Sequence, residues 1–175
     1  MRSSSRSDVP EAASFPPVVG HDPGILVLGS MPGVRSLERQ QYYAHPRNAF
    51  WPVMAEVFGF DAALPYEARL AQLAAHGVAL WDVLAQCRRP GSLDAAIERD
   101  SIVCNDFSAF LARHGGIRRI CFNGATAEQL FRRHALPGLA ERQLPELVRL
   151  PSTSPAHAGM VFEEKLRQWR AALAV

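Results

Sequence analysis

The chain has 175 residues, 48% of them hydrophobic and 21% charged, with a net charge of +2, which fits one globular domain and excludes a disordered or fibrous chain. No apolar run reaches the roughly 18 residues of a membrane span, and the polar, Pro/Ser-rich start lacks the apolar core of a secretory signal. Three scattered cysteines, Cys87, Cys104 and Cys121, argue against a disulfide framework, a zinc site or a four-cysteine iron–sulfur cluster, and place the chain in a reducing compartment, the cytoplasm.

In chain order, residues 1–20 read as a flexible tail and 21–175 as a single domain. Gly24–Gly29 is a short apolar run closed by glycine, the pattern of a strand buried on both faces. Ser30–Pro46, with Pro32, Gly33 and Pro46, reads as a long loop. Asn48–Phe58 and Tyr66–His76 carry helical spacing of apolar residues. Gly77–Asp82 is a second strand, followed by a loop through Gly91 and a short helical start at Asp94–Ile97. Asn105 or Asp106 caps a helix running to His114. Ile117–Phe122 is a third strand, Ala125–Arg133 a helix and Leu147–Leu150 a fourth strand. A loop over Pro151–Gly159 leads to a closing helix, Val161–Leu173. Strands alternating with helices predict a parallel sheet covered on both faces. Such sheets bind ligands beyond the carboxyl ends of their strands, which selects the loops 29–48, 82–94, 123–125 and 151–159.

Those loops hold the least core-like chemistry in the chain. Gly29-Ser30-Met31-Pro32-Gly33-Val34-Arg35-Ser36 leaves a strand with glycines that let the backbone approach a ligand; it is neither a Walker A loop nor GxGxxG, and a tight turn explains it equally well. Core packing accounts for Phe50 and Trp51, but not for Tyr42, Tyr43, His45, Arg47 and Asn48 gathered before a helix start, where aromatic faces stack on bases and anions are attracted. Asn123 reads either as a base-edge reader or as half of an Asn-Gly turn. Ser152, Thr153 and Ser154 offer three hydroxyls to a phosphate backbone, or are ordinary loop residues and caps. Asp94 and Ser92 read as helix caps. Of the 19 basic residues all but Lys165 are arginine, which suits phosphate contacts but equally reflects codon usage.

Taken together, Gly29-Ser30-Met31-Pro32-Gly33, Tyr42-Tyr43-Ala44-His45-Pro46-Arg47-Asn48-Ala49-Phe50-Trp51, Phe122-Asn123-Gly124 and Pro151-Ser152-Thr153-Ser154-Pro155 resemble the uracil-DNA glycosylase superfamily. The nearest likeness is to its hypoxanthine branch, the DNA-deoxyinosine glycosylases of family six; Leu80-Trp81-Asp82-Val83-Leu84 and Gly91-Ser92-Leu93-Asp94 share it. The resemblance runs from about Ile25 to the end of the chain.

It implies a three-layer α/β/α sandwich on a four-stranded parallel sheet, and a monofunctional glycosylase that needs no cofactor or metal. The implied partner is DNA holding a deaminated base, hypoxanthine first, with no membrane; the protein is expected to act as a monomer. Met31 stands where mismatch-specific relatives carry a water-positioning asparagine, and a thioether cannot orient or deprotonate water. The catalytic role therefore moves to Asn48, in a site with no obvious carboxylate. Tyr43 and Phe50 are expected to stack on the extruded base and Gly29, Ser30 and Asn123 to read its edge, with Met31 in the same pocket. Pro32, Gly33, His45, Arg47, Ser152, Thr153, Ser154 and His157 are expected on the DNA. His157 replaces the family's asparagine and lies near the wedge or a phosphate. The alternatives are a uracil or broad-specificity glycosylase, a catalytically silent binder of damaged DNA, and a nucleoside hydrolase.

Overall fold

A computed structural model of the chain describes residues 9–174. Its regular elements are β1 (Glu11–Ala13), β2 (Ile25–Gly29), α1 (Val34–Arg39), α2 (Phe50–Phe58), α3 (Tyr66–Ala75), β3 (Val78–Asp82), β4 (Leu84–Arg88), β5 (Val103–Cys104), α4 (Phe107–Arg113), β6 (Arg119–Asn123), α5 (Ala125–Leu130), β7 (Glu146–Leu150) and α6 (Phe162–Leu173).

The four apolar runs form one parallel sheet in the order β3-β2-β6-β7. Every residue of β2 is buried because the sheet is covered on both sides. Leu26 and Leu28 face a core made with Phe107, Phe110 and Phe131 from the α4–α5 side. Ile25 and Val27 face Phe50, Met54, Leu73 and Trp169 from α2, α3 and α6. Alternate side chains of one strand thus enter opposite cores, which makes the fold the expected three-layer α/β/α sandwich. Asp106 caps α4 through its carboxylate, which accepts the Ala109 N–H at 3.0 Å.

Four segments differ from the sequence reading. Residues 1–8 lie outside the described residues, but 9–20 are not a free tail. Glu11–Ala13 pairs antiparallel with β4, and Val18 bridges to Leu80 at the edge of the main sheet. The predicted loop after Asp82 contains β4, the centre of a small antiparallel sheet β1-β4-β5. The predicted loop Ser30–Pro46 contains α1, which ends at Gln40 in the left-handed conformation. The helix starting at Ala125 is regular only to Leu130 and continues to Ala135 as a π turn.

Candidate active site

Beyond the carboxyl ends of the four parallel strands lies a cleft of about 430 Å³. Its walls come from the loops selected by sheet topology: Gly29–Ser36 after β2, Asp82 and Ser92–Ala95 after β3, Asn123–Thr126 after β6 and Ser152–His157 after β7. Tyr42, Tyr43, His45 and Asn48 close the side next to α2.

Asn48 reaches the cleft because the chain turns into α2 just after it. Its amide oxygen accepts the Phe50 N–H at 2.9 Å, so it satisfies one of the orphan donors of the first turn. Only an acceptor can meet that N–H, so the orientation of the amide is chemically fixed. Nδ2 makes no hydrogen bond among the described residues, which leaves a donor for a ligand in the cleft. The next N–H, of Ala49, donates to the Thr153 carbonyl at 2.9 Å and ties this corner to the loop after β7.

Tyr43 adopts a left-handed backbone at φ 55°, which turns its ring back over Phe50. The two rings stack with centroids 4.0 Å apart and planes 25° apart. Phe50 itself is fully buried and does not line the cleft. The expected pair of base-stacking rings is therefore corrected to one: Tyr43 faces the cleft, and Phe50 supports it from the core. The Tyr43 hydroxyl is buried with no hydrogen-bond partner among the described residues. Burial raises its pKa, and the nearby Asp82 raises it further, so the phenol stays protonated. Tyr42, its neighbour in the same aromatic stretch, is buried; its hydroxyl donates to the Pro16 carbonyl at 3.0 Å, from the segment expected to be free.

Asn123 and Thr153 hold each other reciprocally. Asn123 Nδ2 donates to Thr153 Oγ1 at 2.9 Å, and its Oδ1 accepts the Thr153 N–H at 2.9 Å. Asn123 lines the cleft, but its amide clamps two loops together before it can read a base. Thr153 is 1% exposed and turned toward Asn123, which corrects its expected place on a phosphate. Ser152 and Ser154 stay half-buried in the wall, their hydroxyl oxygens accepting the N–H groups of Ser154 and Ala156. The loop passes close to Gly124, whose φ of 97° calls for glycine and where a β-carbon would meet Ser152 Cβ tightly, at 3.1 Å. His157 stands exposed on the rim. Pro32, Gly33 and His45 line the cleft, while Arg47 is exposed outside it. Met31 is buried in the wall, its thioether part of the adjoining core.

The expectation of a site without a carboxylate is also corrected. Asp82 lies on the cleft floor, 3% exposed, and its Oδ2 has no hydrogen-bond partner among the described residues. Burial, reinforced by Asp94, raises its pKa from 3.8 to about 7. Asp94 lines the same cleft and accepts the Ser30 hydroxyl at 2.7 Å, rather than capping a helix. That bond commits the Ser30 side chain, and the Ser30 carbonyl accepts the Leu84 N–H at 3.1 Å. Behind the first loop, the buried Arg89 donates to the carbonyls of Pro32 and Gly91 and fixes the loop's path. The sequence held a signal for the place of Asp82, as the last residue of an apolar strand run at the sheet's binding end, but not for its burial; the structure sets it in register with Gly29.

The model of the uracil DNA glycosylase superfamily matches residues 16–174. Two curated relatives, from Methanosarcina barkeri and Methanosarcina acetivorans, are each named hypoxanthine DNA glycosylase. They are 37% identical over 111 residues and 39% identical over 114, covering 63% and 65% of this chain and 69% and 71% of theirs. The solution NMR structure of a Methanosarcina acetivorans protein described as a uracil DNA glycosylase superposes with a TM-score of 0.77 at 32% identity, covering 94% of this chain and 97% of that one.

Proposed function

The chain belongs to the uracil DNA glycosylase superfamily, and we propose that it is a monofunctional DNA glycosylase that excises hypoxanthine from deoxyinosine. Two relatives of that name, each more than a third identical, support this substrate over uracil. The observation that carries the mechanism is the free amide donor of Asn48 beside the exposed side of Tyr43, at the carboxyl end of the sheet.

Extruding a base costs a few kcal/mol and is cheapest for a mispaired one. Stacking on Tyr43 recovers part of that cost, since one base on one aromatic ring contributes about 1–3 kcal/mol. The N-glycosidic bond then breaks with negative charge moving onto the base and positive charge onto the sugar. Asn48 Nδ2 donates a hydrogen bond to the charge developing on the base, or holds the attacking water by its oxygen; its carbonyl keeps a second lone pair for a water proton. The hydroxyls of Ser152 and Ser154 and the exposed Arg47 and His157 take the flanking phosphates.

The test uses duplexes with a single inosine, uracil or xanthine, treated with alkali after incubation. Strand breaks first at inosine are the expected result. Breaks at uracil alone would replace the substrate, and retarded migration without breaks would make the protein a silent binder.

A further inference from the structure

The cleft floor holds a carboxyl group that stacking, the amide donor and the phosphate contacts leave without a task. Asp82 is buried at the end of β3, and its Oδ2 is unpartnered among the described residues. It lies so close under β2 that a β-carbon on Gly29 would come within 2.6 Å of Oδ1 and 3.3 Å of the Tyr43 hydroxyl. The groups facing it are Asp94, a second carboxyl; Tyr43 and Tyr42, both neutral phenols; and the Arg89 guanidinium, whose hydrogen bonds go to backbone carbonyls. A buried carboxylate beside another acid, with an oxygen unmet by any donor, is costly; the protonated acid costs far less.

Resting on the reading of the chain as a hypoxanthine glycosylase, we propose that Asp82 enters the reaction as the neutral acid and protonates the departing base. The charge decides the role. An ionised carboxylate would repel the electrons arriving on the base, whereas a carboxylic acid neutralises them. As the bond from C1′ to N9 breaks, its electron pair leaves with the purine. The Asp82 proton passes to an acceptor atom of that purine, which departs uncharged. The oxygen of water forms the new bond to C1′, and the proton that water releases returns to the Asp82 carboxylate through the solvent of the cleft. Deoxyinosine and water give hypoxanthine and an abasic deoxyribose, with protons and electrons balanced.

Single-turnover cleavage of an inosine duplex, followed from about pH 5.5 to about pH 9, tests this. The wild-type rate is expected to fall at least tenfold on the alkaline side, as a general acid loses its proton. Asp82→Asn, nearly identical in shape and checked as folded by its melting curve, is expected to be about a hundredfold or more slower near pH 6 and to lose that alkaline fall. Asp94→Asn removes the neighbouring acid and is expected to move the midpoint of the fall to lower pH. A wild-type rate that is flat or rises with pH, an Asp82→Asn profile parallel to wild type, or an unmoved midpoint in Asp94→Asn would each overturn the assignment while leaving the hypoxanthine reading intact. Absence of inosine cleavage at every pH would remove both.

Discussion

The amide oxygen of Asn48 accepts the backbone N–H of Phe50 at 2.9 Å, so one residue opens helix α2 and turns its free amide nitrogen to the cleft. Structure and chemistry meet in one side chain, and two substitutions separate them. Asn48→Ala loses both groups. It is expected to cut single-turnover cleavage at inosine by roughly a hundred- to a thousandfold and to cost about 1 kcal/mol of stability through the lost hydrogen bond to the Phe50 N–H. Asn48→Asp keeps the acceptor and adds a negative charge that is favourable at the helix start, so its melting temperature should match or exceed wild type while cleavage stays low. Full cleavage by Asn48→Asp would move the function of this residue from donating to accepting.

Gly29→Ala is expected to be costly because of its neighbour. The new β-carbon would sit 2.6 Å from Asp82 Oδ1, on a short, buried side chain with little room to move. Overpacking of this kind costs about 1–3 kcal/mol. Denaturant melts of Gly29→Ala, Asp82→Ala and the pair should show strong coupling, with the double variant less destabilised than the two losses added together.

The Asp82 carboxyl also makes a prediction about stability. Its native pKa of about 7 lies above the ordinary 3.8, so the folded state holds this proton more tightly than the unfolded chain does. The stability tied to that proton is fully present below the ordinary value and is lost as pH rises to about 7, at about 1.4 kcal/mol per unit. Asp82→Asn carries no such titration. Its melting temperature should therefore gain on wild type from about pH 4 to about pH 7 and then hold level.

Ser152 carries the test of the phosphate wall. Ser152→Ala should weaken binding to damaged and undamaged duplexes alike, by about 0.5–1.5 kcal/mol, the net value of one neutral hydrogen bond. The dependence of binding on salt should keep its slope, since no charge is removed. A loss confined to inosine-containing DNA would place Ser152 in the base pocket instead.

Much of this arrangement was legible in the chain itself. Continuous apolar runs such as Ile25–Leu28 announce strands buried on both faces, and alternation with helices announces a parallel sheet. The rule that such sheets bind at their carboxyl ends then located all four cleft loops. What escaped depends on pairing between distant segments. Glu-Ala-Ala at 11–13 has no strand signature; it becomes a strand only because Leu84–Arg88 offers an edge. Within the site, residue type marked Asn48 and Tyr43, but burial decided Phe50, Thr153 and Asp82. A lone aspartate after a tryptophan carries no sign in sequence that water has been taken from it, and an aromatic before a helix does not say which of two stacked rings faces out.

The first described residues alter how this protein should be trimmed. Similarity to the superfamily begins at residue 16, yet the stretch just upstream supplies β1, and Pro16 itself holds the hydroxyl of Tyr42, next in the chain to the ring that faces the cleft. A shortened version that starts at residue 16 would keep the Pro16 carbonyl but leave the β4 edge bare and remove Phe15, whose ring meets that of Tyr42 edge-on at 5.2 Å behind the aromatic wall. Excision could then weaken even though every residue of the pocket had been retained.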